Sequence, residues 1–393
     1  MGTTFSCFGR KKSSTTNSKL CESILSKYAD AHPSHQSTYT FSYNEMRSAT
    51  SSFHPTNKIG YGGFGTVYKG ILSDGTQVAI KSLSIESKQG IREFLTEIEM
   101  LSNVRHPNLV RLIGCCVEGA NRMLVYEYME NNSLARALLG PYNKQIALNW
   151  TERAAICLGA ANGLAFLHEE VEPNIVHRDI KASNVLLDKN LRPKIGDFGL
   201  AKLFPDTVTH VSTRVAGTMG YLAPEYALLG KLTKKADIYS FGVLMLEIIS
   251  GRSCARSVWG LDMKALLEWT WQLRGEDRLL DIVDPELAVY PKNEALHFIK
   301  TALFCTQAAA HQRPNMKRVV EMLQSSDEAE LFVGALKQPG VLRAPDRSFG
   351  IVGNKPVGSK YPRYSESKTT YGFISTAEDS SSAPVSTFEM QPR

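Results

Sequence analysis

The run His177-Arg178-Asp179-Ile180-Lys181-Ala182-Ser183-Asn184, followed by Asp197-Phe198-Gly199, constrains this chain more than any other feature. An isolated Asp is nearly always a solvated surface charge. Here one Asp stands five residues before an Asn, and a second lies between Ile195-Gly196 and Phe198-Gly199. Phosphoryl transfer asks little covalent chemistry of a protein. It needs a carboxylate to orient the attacking hydroxyl, oxygen ligands for Mg²⁺, and cations around the moving phosphoryl group. Asp179, Lys181, Asn184 and Asp197 are groups of those kinds.

An upstream segment supplies companions for them. Between Ile59 and Ile80 the pattern is β: Thr66-Val67-Tyr68-Lys69 and Gln77-Val78-Ala79-Ile80 alternate or run apolar, with Asp74-Gly75 as turn chemistry between them. Gly60, Gly62, Gly63 and Gly65 precede the first of these strands. Such glycines also mark dinucleotide-binding folds, but those place a helix after them, whereas here a second strand follows. Strand, glycines and strand make a hairpin whose backbone N–H groups can approach phosphates, because no Cβ obstructs them. Lys81 closes an apolar strand. Residues 90–102 then take a helical period, with Glu97 on the face shared by Phe94, Ile98 and Leu101. Lys81 and Glu97 read together as the ion pair that holds the α- and β-phosphates.

Roles for the central groups follow from their chemistry. Asp179 is expected to orient the substrate hydroxyl or accept its proton. Lys181 would neutralise charge on the transferred group, and Asn184 would bind Mg²⁺ through its amide oxygen. Asp197 would chelate Mg²⁺ bridging the phosphates. Arg178 reads as a buried guanidinium beside these carboxylates, which invites a phosphate partner. Candidate phosphate acceptors lie between Asp197 and Ala223-Pro224-Glu225: Thr213 and Ser212 first, then Thr209 and Thr207. Thr218 is expected to position substrate.

Along the chain, residues 1–40 are rich in Ser, Thr and Lys and read as a flexible arm. Residues 41–326 carry the motifs, and 327–393 read as a disordered Ser/Thr-rich tail. Ser42 and Glu45 form a capping-box pattern ahead of a short helix with Met46, Ala49 and Phe53 on one face. Helical segments dominate beyond residue 130, at 151–168, 234–250, 292–307 and 314–324. The fold class is therefore α+β, with a small β-rich lobe followed by a larger helical lobe.

Composition excludes several alternatives. Lys and Arg number 45 against 39 Asp and Glu, too small an excess to suggest a nucleic-acid binder. The seven cysteines are scattered and include no CxxC pair, which argues against a disulfide scaffold or a zinc site. No apolar run approaches the roughly 18–20 residues of a membrane span.

With every major motif in order, residues 41–326 resemble the eukaryotic protein kinase family. More narrowly, Asp179-Ile180-Lys181-Ala182-Ser183-Asn184, the stretch from Gly217 to Tyr226, and Asp237-Ile238-Tyr239-Ser240-Phe241-Gly242-Val243 resemble plant receptor-like kinases. The stretches Glu86 to Gly90 and Asn131 to Arg136 are similar to receptor-like cytoplasmic kinases of the cold-responsive type. This resemblance implies a two-lobed kinase fold, ATP with Mg²⁺ or Mn²⁺, Ser/Thr specificity, protein substrates and an upstream receptor-like kinase. It implies that Tyr126 is the gatekeeper, with Glu127 to Met129 as the adenine hinge. Ile59, Val67, Ala79 and Leu186 would sandwich the adenine ring. Asp237 would brace the catalytic loop beside His177 and Arg178, and Glu225 would pair with Arg313. Tyr61 departs from the family pattern, where Glu or Gln is common. A catalytically dead binding scaffold would be marked by loss of Lys81, Asp179 or Asp197, and all three are present. A third reading makes the arms outside 41–326 the main partner-binding element.

The N-terminus carries a separate pattern. Met1-Gly2-Thr3-Thr4-Phe5-Ser6 fits the N-myristoylation template. Cys7 is positioned for palmitoylation, and Arg10-Lys11-Lys12 for anionic lipid. One acyl chain holds a protein only marginally, so stable anchoring takes a second signal. The expected location is the cytosolic face of the plasma membrane, and otherwise the cytoplasm.

Overall fold

The computed structural model describes residues 39–325 apart from 63–64, 84–87, 103, 141–145, 206–207 and 255–264, together with Leu336. Gly2, Cys7, Gly63 and Thr207, named above, lie outside the described residues, as do residues 1–38 and nearly all of 327–393.

The first lobe is built on a six-stranded sheet. Its strands are β1 (Tyr39–Thr40), β2 (Lys58–Gly62), β3 (Gly65–Ile71), β4 (Gln77–Leu83), β5 (Leu112–Glu118) and β6 (Asn121–Glu127). Their order is β1-β5-β6-β4-β3-β2, antiparallel throughout except that β1 runs parallel to β5. Alternation along β4 divides its side chains between two faces. Val78 and Ile80 enter a small core with Phe41, Met46, Cys116, Met123 and Val125. Helix α1 (Tyr43–Ala49) supplies Met46 to that outer face, and the capping box is present: Glu45 N–H donates to Ser42 Oγ at 3.2 Å, and Ser42 N–H to Glu45 Oε2 at 2.7 Å. Ala79 and Lys81 face the other way. There helix α2 (Lys88–Leu101) crosses the sheet, burying Phe94, Ile98 and Leu101 along one stripe.

The second lobe is helical. Its helices are α3 (Leu134–Leu139), α4 (Trp150–Glu169), α5 (Pro224–Leu229), α6 (Lys234–Ser250), α7 (Leu266–Gly275), α8 (Lys292–Cys305) and α9 (Met316–Gln324); α4, α7 and α8 pack against α6, which is buried from Ala236 to Ser250. Such all-round burial explains why α6 reads as a nearly continuous apolar run rather than an amphipathic stripe. Asn149 caps α4 through a second capping box with Glu152. Among the described residues no helix is long and apolar enough to cross a membrane. Short paired strands connect the lobes to the polar motifs: β7 (Asn174–Val176) with β10 (Lys202–Phe204), β8 (Val185–Leu187) with β9 (Pro193–Ile195), and β11 (Val211–Ser212) with β12 (Lys231–Leu232). The motif residues therefore sit in the turns between strands, on the seam between sheet and helices.

Candidate active site

Three charged groups meet where the sheet faces the helical lobe. Lys81 Nζ lies 2.5 Å from Glu97 Oε1 and 2.9 Å from Asp197 Oδ1. Burial alone would discharge the lysine, but the two carboxylates outweigh it and hold the ammonium well above its ordinary pKa. Burial likewise opposes the charge on Asp197, yet the Lys81 ammonium holds its carboxyl below the ordinary value. Asp197 takes a left-handed backbone conformation, φ +62°, a strained choice for a residue with a side chain. Glu97 is fully buried, and its second oxygen accepts a hydrogen bond from the Tyr126 hydroxyl.

A second network surrounds Asp179. Lys181 Nζ reaches Asp179 Oδ2 at 2.8 Å and donates to Thr218 Oγ1 at 2.8 Å. The Thr218 hydroxyl donates onward to Asp179 Oδ1 at 2.7 Å. Asn184 Nδ2 donates to the Asp179 carbonyl at 2.8 Å and to its carboxylate at 3.0 Å, which commits the amide nitrogen and turns the amide oxygen elsewhere. Gly196 N–H donates to the Asn184 carbonyl at 2.8 Å, tying this loop to the turn that carries Asp197.

Beneath both networks sits Asp237 of α6. Its carboxylate accepts from the backbone N–H of His177 at 2.7 Å and of Arg178 at 2.8 Å. Arg178 is itself left-handed, φ +71°, so these bonds hold a strained loop in place. Burial raises the cost of charging Asp237, but its hydrogen bond to His168 and the neighbouring imidazoles and backbone donor leave its carboxyl below the ordinary range. His177 accepts from Asp179 N–H at Nδ1 (3.3 Å) and lies 3.1 Å from the Gly196 carbonyl at Nε2, so the ring is the Nε2–H tautomer. Its edge also meets Phe198, ring centroids 4.8 Å apart.

The residues named for the adenine ring lie on β2, β3, β4 and β8 and in and after β6. Ile59, Val67, Ala79 and Leu186 are each partly exposed, while Tyr126 and Met129 are buried. Leu187 N–H donates to the Asn132 carbonyl at 2.8 Å, and Ser133 bridges to Leu186, so the segment after β6 is fastened to β8. Glu127 N–H donates to the Arg111 carbonyl at 3.1 Å. Its side chain turns to the rear, 2.8 Å from Lys194 Nζ and 2.7 Å from the Arg111 N–H. Gly65 is required by contact: a Cβ there would lie 2.0 Å from the Ser82 carbonyl, at φ +144°. Gly60 has no such need, since a Cβ would meet only Val67 at 3.6 Å. Tyr61 is exposed, its ring 4.4 Å beneath the Lys58 ammonium.

The candidate phosphate acceptors are not gathered at one point. Ser212 is exposed in β11, Thr213 N–H donates to the Gly230 carbonyl at 3.1 Å, and Thr209 lies exposed beside His210. Arg178, expected as a buried guanidinium, is half-buried, because the strands beside it leave one edge open. Its donors go to the Leu200 carbonyl (3.0 Å), the Arg214 carbonyl (2.9 Å) and the Tyr226 hydroxyl (2.6 Å), all uncharged acceptors. Glu225 and Arg313 form a bidentate pair, both contacts 2.7 Å, against a fully buried guanidinium.

Sequence reasoning missed three participants: His168, the contact between Tyr126 and Glu97, and Tyr226. His168 Nε2 lies 3.0 Å from Asp237 Oδ2, while its Nδ1 is buried without a partner. The signal available for His168 was its place on the buried side of α4; nothing in its spacing pointed to Asp237, 69 residues on.

Residues 53–323 match a family profile described as protein tyrosine and serine/threonine kinase. A probable leucine-rich repeat receptor-like serine/threonine-protein kinase of Arabidopsis thaliana is 54% identical over 325 residues, 81% of this chain and 32% of the relative. Cold-responsive protein kinase 1 of the same plant is 55% identical over 305 residues, 77% of this chain and 78% of the relative. The chain thus spans about a third of the leucine-rich repeat receptor-like relative's length and most of the cold-responsive one's.

Proposed function

Because this chain belongs to the protein tyrosine and serine/threonine kinase family, we propose that it transfers the γ-phosphoryl group of ATP to serine and threonine hydroxyls of proteins in membrane-proximal signalling. The observation that carries this reading is the closed circuit of Asp179, Lys181 and Thr218, set beside the Lys81–Glu97–Asp197 cluster. A substrate hydroxyl displacing the Thr218 bond would find a carboxylate ready to orient it and a cation beside the phosphoryl path. Lys81, held in place by Glu97, would bind the α- and β-phosphates, and Lys181 would absorb charge developing on the transferred group. Ile59, Val67, Ala79 and Leu186 would clasp the adenine, with the backbone of Glu127 to Met129 reading its edge and the glycines from Gly60 to Gly65 covering the phosphates.

Divalent metal fits the donors present. The Asn184 amide oxygen and the Asp197 carboxylate are hard oxygen ligands, and Mg²⁺ typically takes one or two protein ligands alongside substrate phosphates. Bound there, it would neutralise charge on the β- and γ-phosphates.

Finer parts of the reading rest on sequence and on relatives. An upstream receptor-like kinase, and activation by phosphorylation of Thr213, Ser212, Thr209 or Thr207, are proposed from the resemblance and from the hydroxyls that lie between Asp197 and Ala223. Arg178, whose guanidinium meets only uncharged acceptors among the described residues, is suited to receive such a phosphate. The Gly2 and Cys7 patterns support acyl anchoring at the plasma membrane.

The test is transfer of radiolabelled phosphate from ATP with Mg²⁺ by the full chain beside Asp179→Asn. Label incorporated by the native protein and absent from the variant supports the reading. Nucleotide binding without transfer, after treatment with a phosphatase and with an upstream kinase, would leave a scaffold instead.

A further inference from the structure

Behind the hinge, on the side away from Lys81, two cavities of about 350 Å³ each share Pro107 and Lys194 as walls. The upper one is cationic. Arg105, Arg111 and Lys194 face a single carboxylate, Glu127. That carboxylate is already committed: it accepts from Lys194 Nζ at 2.8 and 2.9 Å and from the Arg111 backbone at 2.7 Å. The Arg111 guanidinium is exposed and makes no hydrogen bond or ion pair among the described residues. Arg105 donates through Nη1 to the carbonyls of Leu101 and Val104, both at 3.0 Å, which fixes its plane at the end of α2. Burial, and after it the like charge of Arg111, pull the Arg105 guanidinium below its ordinary value, and Glu127 restores only part. His106 adds no charge near neutral pH, since burial lowers its imidazole and Glu170 restores only part. Three cations thus share one carboxylate that Lys194 already holds, an excess of positive charge that an incoming anion would relieve.

The walls between these charges are apolar: Val104, Pro107 and Leu109. An inorganic anion would use the charges and leave those walls wet. We infer that the rear groove is a docking site for an extended segment of a partner protein in which carboxylates alternate with apolar side chains. Its location gives docking a consequence. Glu127 ends β6 at the adenine-facing hinge, and Lys194 stands on β9 three residues before Asp197. A carboxylate that draws Lys194 away from Glu127 therefore acts on the hinge and on the strand leading to Asp197 together.

The experiment uses the full chain and a fluorescent peptide of alternating Glu and Leu, with a Lys/Leu peptide as its charge-reversed control. Fluorescence anisotropy should show saturable, salt-sensitive binding of the acidic peptide alone. Arg111→Glu should weaken it by about tenfold or more, a typical consequence of reversing one charge in a complementary interface. Because the Arg111 side chain makes no hydrogen bond or ion pair among the described residues, phosphorylation of a short neutral substrate peptide by that variant should match the native protein. Fusing the acidic segment to that substrate should lower KM in the native protein and not in Arg111→Glu. Equal binding of both peptides, no binding of the acidic one, or native-like affinity in Arg111→Glu would each overturn the assignment. The binding arm needs no catalysis, so it fails separately from the kinase reading.

Discussion

The Tyr126 hydroxyl donates to Glu97 Oε2, on the same carboxylate whose other oxygen is held by Lys81. Glu97 is fully buried, so each of its oxygens needs a partner. Tyr126→Phe removes one donor and leaves a buried acceptor unpaired, at a cost of about 1–3 kcal/mol. Thermal unfolding should fall accordingly. The KM for ATP should rise several-fold with a smaller change in kcat, because Lys81 loses the anchor behind its own partner. Unchanged melting and unchanged KM would show that the tyrosine is a bystander.

Thr218 bridges Lys181 and Asp179, and its hydroxyl both accepts and donates. Thr218→Val keeps the shape and deletes both bonds. Loss of charge-assisted hydrogen bonds of this kind corresponds to about ten- to a hundredfold in kcat, with KM for ATP little changed. Thr218→Ser keeps the hydroxyl and should retain most of the activity. Steady-state kinetics of the two variants side by side decide the matter; equal losses would assign Thr218 to packing alone.

His168 contributes a single hydrogen bond, and it goes to Asp237. With Nδ1 buried and unpartnered, the ring's one side-chain contact orients the carboxylate that holds His177 and Arg178. His168→Phe should lower kcat with little effect on KM for ATP, and His168→Gln, which restores a donor, should recover part of it. Should both variants lose stability and activity in parallel, the histidine is only a core filler.

Glu247 gives the fold a pH dependence of its own. Burial pushes its carboxyl from 4.5 up to about 7, against the opposing hydrogen bonds from Tyr221 and Cys254. The folded state therefore binds this proton more tightly than the unfolded chain does. The associated stability is fully present below about pH 4.5 and is lost as pH rises through about 7. The shift corresponds to roughly 3 kcal/mol at 1.36 kcal/mol per pH unit. Denaturant unfolding across that window should show the native protein losing ground to Glu247→Gln by about that amount; parallel curves would mean that the carboxyl stays ionised throughout.

Local pattern carried much of this architecture. Lys81 and Glu97 are 16 residues apart, yet a strand end and a helix stripe suffice to aim both inward, and 2.5 Å separates them. Likewise the helix at 234–250 follows from a run visible in the residues. What local pattern could not carry was any bond whose partners sit on different elements without a shared motif. His168 reaches Asp237 across 69 residues, and Lys194 reaches Glu127 across 67, and in each pair one residue looks like ordinary surface or core. Glu127 was read for the hinge from resemblance, and only the folded chain reveals that its side chain faces backward. The short strand Tyr39–Thr40 was also invisible, because two residues carry no period.

Phe41 and Met46, ahead of the first residue matched by the family profile at 53, close the outer face of the sheet over Val78, Ile80, Met123 and Val125. The segment that the family profile matches is consequently not a free-standing body. A fragment cut at residue 53 would leave an oily surface on the back of its smaller lobe, with the edge of β5 open to other strands. Such a fragment invites aggregation, and poor behaviour in solution would then be mistaken for a defect in catalysis.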